Sequence, residues 1–330
     1  MDSTVFSFPG LGIGEHTMNQ VAFTVPIFGG LEVRWYGVIL LLGIIAGFAH
    51  VMWRCKYEGI STDDVLDFTL ITVIMAIFGA RFYYVVTTFK YGMYHSFLDV
   101  IAIWEGGIAI YGAVSFGALS LFLVSRYKKY DRDKMWRMFD MTAPGVLAGQ
   151  AIGRWGNFVN GEAHGIETSE NFFLRMGLRE YGVWYYYHPT FLYESLWNLL
   201  GFALINLFYK KRKFNGEAFL WYVAWYGLGR TFIELLRQDS LYMGSIRVSS
   251  LLGAICFAVC MPIIIILHVR HAKLVKAGVC EKNEIMDITT LLGITKQKKA
   301  EATSAGTIDV AEEESGDAPT ETEDGDGKDN

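Results

Sequence analysis

Apolar runs close to the length of a membrane-spanning helix recur along this chain, at roughly 36–53, 66–86, 108–125, 138–153, 191–208, 217–236 and 249–268. Such a pattern reads as an all-α integral membrane protein with about seven transmembrane helices, the fourth run being the weakest. Hydrophobic residues make up 52% of the chain even though its C-terminal tail is very polar. Cys55, Cys256, Cys260 and Cys280 lie at the edges of these runs, within them or beyond them, so no disulfide framework or CxxC metal site is read.

Basic residues orient the helices, because Lys and Arg near helix ends stay preferentially on the cytoplasmic side. Arg54 and Lys56 follow the first run, Arg126 to Arg137 the third, and Lys210 to Lys213 the fifth. With seven spans this places the N-terminus outside, the C-terminus in the cytoplasm, and the connections 87–107, 154–190 and 237–248 outside. Segment 154–190, rich in glycine and aromatics, is expected to form a small extracytoplasmic cap. The N-terminal residues, among them Phe6, Phe8, Phe23, Val25 and Ile27, lack the basic region, apolar core and cleavage site of a signal peptide. Residues 1–275 are thus expected to form the transmembrane domain. Residues 276–330 are expected to form a cytoplasmic tail, disordered and acidic from about 295. The basic clusters are accounted for by topology and imply no nucleic-acid partner.

Charged side chains at membrane depth are costly and mark substrate paths or sites. Two constellations fit that description. In the first, Arg154, Asn157, Asn160 and Glu162 stand among Gly153, Gly156, Gly161 and Gly165, directly after the fourth apolar run. In the second, Tyr226, Arg230, Glu234 and Arg237 recur at helical spacing on the sixth run and form one stripe if all are helical. Arg230 and Glu234 alone would also suit a buried pair that fixes helix packing. Gly145, Gly149 and Gly153, spaced by four, allow two helix backbones to approach closely, whereas Gly156, Gly161 and Gly165 are expected to end the helix and turn the chain back.

The block Gly153-Arg154-x-Gly156-Asn157-Phe158-x-Asn160-x-Glu162-x-x-Gly165 resembles the signature of the prolipoprotein diacylglyceryl transferase family. Further blocks resemble the family in order: Trp35-Tyr36-Gly37, Gly79-Ala80-Arg81, Gly106-Gly107 with Tyr111-Gly112, His188-Pro189-Thr190-x-Leu192-Tyr193-Glu194, and Tyr226-Gly227-x-x-Arg230-x-x-x-Glu234. The likeness extends from about residue 20 to 270.

The resemblance implies a transferase of the bacterial cytoplasmic membrane, working toward the outer leaflet in the first step of lipoprotein maturation. It would move the diacylglyceryl group of phosphatidylglycerol to the lipobox cysteine in the signal peptide of a prolipoprotein. The products would be a thioether and glycerol phosphate. Tyr111, Arg230, Glu234 and Tyr36 are then the expected catalytic residues. Arg154, Asn157, Asn160, Glu162, Gly165, Tyr226 and Arg81 are expected to bind substrate. Where many members carry histidine in a His-Gly-Gly block, this chain has Tyr111-Gly112-Ala113, which leaves the thiol-activating base open among Tyr111, His164 and His188.

The chemistry needs a thiolate and neutralisation of a departing phosphate monoester, so no metal or cofactor is expected. Neither HExxH nor GxSxG occurs. The competing reading is a lipid or anion transporter with Arg81, Arg154 and Arg230 along its path. It explains the charges without explaining the ordered set of blocks.

Overall fold

The computed structural model describes residues 3–26, 30–92, 94–103 and 106–293. The tail expected to be disordered from about 295 lies outside the described residues.

Seven long helices occupy the seven apolar runs: α1 (Trp35–Glu58), α2 (Thr62–Thr88), α4 (Ile110–Tyr127), α5 (Arg132–Asn160), α6 (Thr190–Phe208), α7 (Glu217–Ile233) and α8 (Val248–Lys276). Two short ones, α3 (Phe97–Ile101) and α9 (Ile288–Leu291), lie between and after them. Among the described residues five helices are long and apolar enough to cross a membrane: α1, α2, α4, α6 and α8. The protein is therefore a mostly helical, multi-pass membrane protein. By the same measure α5 and α7 fall short, α5 carrying five charged residues in its first three turns and Arg154 near its end and α7 having 17 residues.

Local chemistry sets the helix ends. Ser61 accepts the Asp64 N–H at 3.1 Å at the start of α2, and Asp131 accepts the Lys134 N–H at 2.6 Å at the start of α5. Gly59 and Gly161 end α1 and α5 in the left-handed conformation, where glycine carries no Cβ penalty. Gly156, expected to end its helix, instead lies inside α5: the helix continues one further turn because Gly161 supplies the stop.

Close backbone approach organises the bundle. A Cβ added to Gly43 would sit 2.9 Å from the Gly149 carbonyl oxygen, and one on Gly47 2.8 Å from that of Gly145. Only glycine lets α1 and α5 cross this tightly. Helices α6 and α7 are joined by two stacked indoles, Trp197 and Trp225, 4.2 Å apart, each donating at 2.9 Å to the other's main-chain carbonyl. Their rings press on Gly229 and Gly201, which fixes the register of α6 against α7.

The expectation of an all-α protein is corrected by three small sheets among the described residues. Strands β1 (Ser3–Phe8), β2 (Ile13–Asn19), β5 (Met176–Glu180) and β6 (Val183–Tyr187) form one sheet in the order β2-β1-β5-β6. The pairs β3 (Val21–Val25) with β4 (Leu31–Arg34), and β7 (Tyr242–Met243) with β8 (Ile246–Arg247), are separate hairpins. The four-stranded sheet is the cap, and half of it comes from the N-terminus. Phe6 pairs with Leu178, and Phe8, Met176, Leu178 and Tyr187 bury themselves with Phe158 and Phe191 at the helix ends below.

The basic loops meet at the opposite end of the bundle, where Lys134 pairs with Asp64 at 2.7 Å and Arg212 with Glu58 at 2.5 Å. Residues 277–293, placed in the tail by the sequence reading, fold back there. Met286, Ile288 and Leu291 complete a core with Phe214, Leu220 and Leu267, and the Asn215 N–H donates to the Met286 carbonyl at 3.0 Å.

Candidate functional site

The cap end of the bundle gathers the two predicted constellations. Arg154 stands on the penultimate turns of α5 and Arg230 near the end of α7, and one carboxylate joins them. Glu194, in the first turns of α6 and 4% exposed, accepts from Arg154 Nη2 through one oxygen and from Arg230 Nη1 at 2.6 Å through the other. Arg230 Nη2 also meets Glu234 at 2.7 Å, and Glu234 is 1% exposed. Arg237 approaches Glu194 at 3.5 Å and grips Asp239 through Nε at 3.0 Å and Nη2 at 2.8 Å. Burial opposes charge on Asp239, yet this two-pronged contact holds its carboxyl below the ordinary carboxylate range.

Three guanidiniums converging on two deeply buried carboxylates are held in place without long flexible reach, since each carboxylate orients a planar fork. The carboxylates sit behind the guanidiniums, whose side chains retain 10–21% exposure. The arrangement leaves the cations partly exposed while their carboxylates are enclosed. An anion arriving there meets several N–H donors in surroundings of low dielectric, where their effect is larger than in water.

Arg154 extends this network into the signature. Its Nη1 donates to Asn157 Oδ1 at 3.3 Å, Asn157 Nδ2 donates to Glu162 Oε1 at 3.2 Å, and Asn160 Nδ2 donates to the same oxygen at 3.2 Å. Asn160 Oδ1 is buried with no hydrogen-bond partner in the protein, leaving a free acceptor inside the signature turn. Tyr36, in the first turn of α1, lays its ring on Gly156: a Cβ there would come within 2.9 Å of the ring.

The stripe on the sixth run is helical for Tyr226 and Arg230, passes into a 3-10 turn at Glu234, and ends before Arg237, whose backbone is extended. Tyr226 stacks on Tyr222 at 6.2 Å and, with Glu194, Trp197, Asn198, Gly229, Arg230 and Ile233, lines a narrow crevice under the network.

The other predicted residues have different surroundings. Arg81 donates from Nε to the Val100 carbonyl at 2.8 Å, from Nη1 to Gly106 at 2.8 Å and Gly107 at 3.0 Å, and from Nη2 to Asp99. It ties the α2–α4 connection to α2, and four of its five donors are taken by main-chain carbonyls. The Tyr111 hydroxyl meets that of Ser249 at 2.8 Å, joining the starts of α4 and α8. Gly165 forms a bridge with Arg237, and a Cβ on it would meet His188 and the Leu236 carbonyl within 2.9 Å, so only glycine fits this junction of cap and α7. His164 stacks on Tyr187 at 4.0 Å, while His188 packs against Phe172 at 4.8 Å with burial lowering its pKa.

Glu194 is the residue that sequence reasoning passed over. It closes the His188–Glu194 block, and its signal was available: a carboxylate in the first turns of an apolar run is as costly as the arginines that were singled out.

Residues 20–266 match the family model described as prolipoprotein diacylglyceryl transferase. A protein of Clostridium kluyveri (strain ATCC 8527) named phosphatidylglycerol–prolipoprotein diacylglyceryl transferase is 43% identical over 244 residues, 72% of this chain and 92% of its own length. Proteins of the same name from Clostridium botulinum strains Langeland and 657 are 41% identical over 244 residues, again 72% of this chain, and 92% and 94% of their own lengths.

Proposed function

The chain belongs to the prolipoprotein diacylglyceryl transferase family, and from that premise we propose how its residues carry out the transfer. The protein is a transferase of lipoprotein biosynthesis that acts on phosphatidylglycerol and prolipoproteins. The transporter reading is not favoured.

In the proposed reaction the thiolate of a lipobox cysteine attacks the diacylglyceryl carbon that bears the phosphate ester. A C–S bond forms as the C–O bond breaks, both electrons of that bond leave with the phosphate oxygen, and glycerol phosphate departs. The thiol proton passes to a base. Arg154 and Arg230 hold the phosphodiester and neutralise the charge that grows on its leaving oxygen. Glu194 and Glu234 orient the two guanidiniums. Asn157, Asn160 and Glu162 offer a polar wall for the headgroup glycerol, and the unpartnered Asn160 Oδ1 suits one of its hydroxyls. Tyr36 borders the site from α1, Tyr226 from below, and Tyr111 stands at the start of α4 to position the attacking substrate. Arg81 and Gly165 support binding by holding the loops around the opening.

The observation that carries this reading is the bridge Arg154–Glu194–Arg230, which draws three helices together around cationic groups at one end of the bundle. With the basic loops at the other end in the cytoplasm, the site faces the outer leaflet of the cytoplasmic membrane. In this topology α5 and α7 also span, giving seven crossings with the N-terminus outside.

Transfer from labelled phosphatidylglycerol to a lipobox peptide tests the proposal. Arg154→Ala and Arg230→Ala are expected to insert normally and to transfer nothing measurable. Wild-type turnover in either would remove the phosphate-holding role.

A further inference from the structure

The last four carbonyls of an α-helix find no partner within it. In α5 these belong to Asn157, Phe158, Val159 and Asn160, the residues of the signature itself. Gly161 and Glu162 serve the first two: the Gly161 N–H faces the carbonyls of both Asn157 and Phe158, and the Glu162 N–H donates to Asn157 at 3.0 Å. The other two are served from the far end of the chain. Thr4 Oγ1 donates to the Val159 carbonyl at 3.0 Å in a buried contact, and Gln20 Nε2 donates both to the Asn160 carbonyl and to Thr4 Oγ1, each at 3.1 Å.

We propose that the N-terminal hairpin β1–β2 and the residue after it cap the signature helix from outside, with Thr4 and Gln20 as positioning residues for Asn157, Asn160 and Glu162. This rests on the transferase reading of the signature. Residues 3–19 precede the segment matched by the family model, so the match itself assigns them no part in the site.

Four further contacts make the cap stiff. Phe6 meets Phe158 edge-on at 4.8 Å, and β1 pairs with β5 through Phe6 and Ser7. Gly161 has φ +65° and its missing Cβ would lie 2.9 Å from Thr4 Cγ2, so the threonine methyl fills the space that the glycine leaves. The Gln20 carbonyl accepts the Trp35 N–H at 2.9 Å. One residue therefore holds both the end of α5 and the start of α1, the two elements that bring Gly156 and Tyr36 together.

The test uses full-length protein in phosphatidylglycerol vesicles. Thr4→Val removes the hydroxyl and keeps the shape, Thr4→Ser keeps the hydroxyl, and Gln20→Leu removes the amide. Turnover is measured as kcat and KM per folded molecule, with hydrogen exchange followed over the peptide 157–165. Thr4→Val and Gln20→Leu are expected to lower kcat by about tenfold, with faster exchange at Gly161 and Glu162 and unchanged exchange in α8. Thr4→Ser is expected to recover most of the rate.

Wild-type kcat in both deletions, a failure of Thr4→Ser to recover, or acceleration spread evenly over the protein would overturn the proposal. Arg154→Ala serves as the reference. If it is inactive while the hairpin variants are fully active, only the capping role falls; if it too is active, the reading of the signature as the site falls with it.

Discussion

Two buried charge networks sit at opposite ends of the same bundle, and they are built differently. At the basic end Arg212 is 7% exposed and lies against Glu58 and Asp140. Asp140, wholly buried, accepts the Gly216 N–H at 2.8 Å and the Phe219 N–H at 2.9 Å at the start of α7. The Tyr209 ring lies against the guanidiniums of Arg54, at 3.9 Å, and Arg212, at 4.5 Å. Arg54, Arg212, Glu58 and Asp140 are all enclosed there, each at most 9% exposed. At the cap end Glu194 and Glu234 are enclosed and Arg237 nearly so, but the side chains of Arg154 and Arg230 stay 21% and 16% exposed. A network that only joins helices gains nothing from leaving its cations partly exposed; one that receives an anion requires it.

This contrast breaks most clearly by mutation at each end. Arg154→Ala is expected to reduce transfer by at least about 10²–10³-fold, the scale for removing a group that stabilises developing negative charge, while the protein remains folded. Arg212→Ala is expected to do the reverse. It leaves Glu58 and Asp140 buried without their partner, a loss of roughly 3–5 kcal/mol of stability, with near wild-type kcat for the molecules that stay folded. Denaturation in detergent combined with active-site counting separates the two. Equal kinetic losses at both ends would erase the distinction.

Glu194→Gln sharpens the comparison. The amide keeps the size but donates where the carboxylate accepted, so one arginine loses its orientation; kcat is expected to fall by about 10–100-fold, with a smaller change in KM for the lipid. A pure rise in KM would instead make Glu194 a binding group.

Truncation probes the enclosed end alone. Ending the chain after Gly293 is expected to leave activity and melting temperature unchanged, because Met286, Ile288 and Leu291 remain in their core. Ending it after Lys276 removes three apolar side chains worth roughly 1.5–3 kcal/mol each before ordering costs, and a drop of several degrees is expected. Identical melting of the two would show that the fold-back contributes nothing.

The smallest effect concerns pH at the cap. Burial lowers the pKa of His188, so the unfolded chain takes up a proton near its ordinary value of about 6.5 while the folded chain does not. The cap is therefore fully stable above that value and loses stability as pH falls from 6.5 toward the lowered one. His188→Asn is expected to flatten this part of the pH profile in thermal unfolding, and an unchanged slope would assign it to other groups.

The helices were legible because their signal is long: apolar runs survive short interruptions, and both arginine constellations stood out by their cost at membrane depth. The cap sheet was not, since β1 is six residues long and its partner β5 lies some 170 positions away. Spacing also placed Arg237 on the stripe of Tyr226 and Arg230, although the helix ends at Ile233 and tertiary contacts take Arg237 to Glu194 by another route. For Arg81, sequence showed a charge at the right depth but could not show that main-chain carbonyls occupy four of its five donors. Nor could it join Thr4 to Val159, a contact between residues 155 positions apart.

The central claim is that the partly exposed arginines at the cap end hold the phosphodiester of the lipid whose diacylglyceryl group is transferred. The most direct measurement is mass detection of product from labelled phosphatidylglycerol and a lipobox peptide, run with wild type, Arg154→Ala and Arg212→Ala beside a Cys→Ser peptide. A diacylglyceryl adduct on the cysteine peptide alone, made by wild type and Arg212→Ala and absent with Arg154→Ala, is the predicted result. An adduct formed equally well by Arg154→Ala would contradict it.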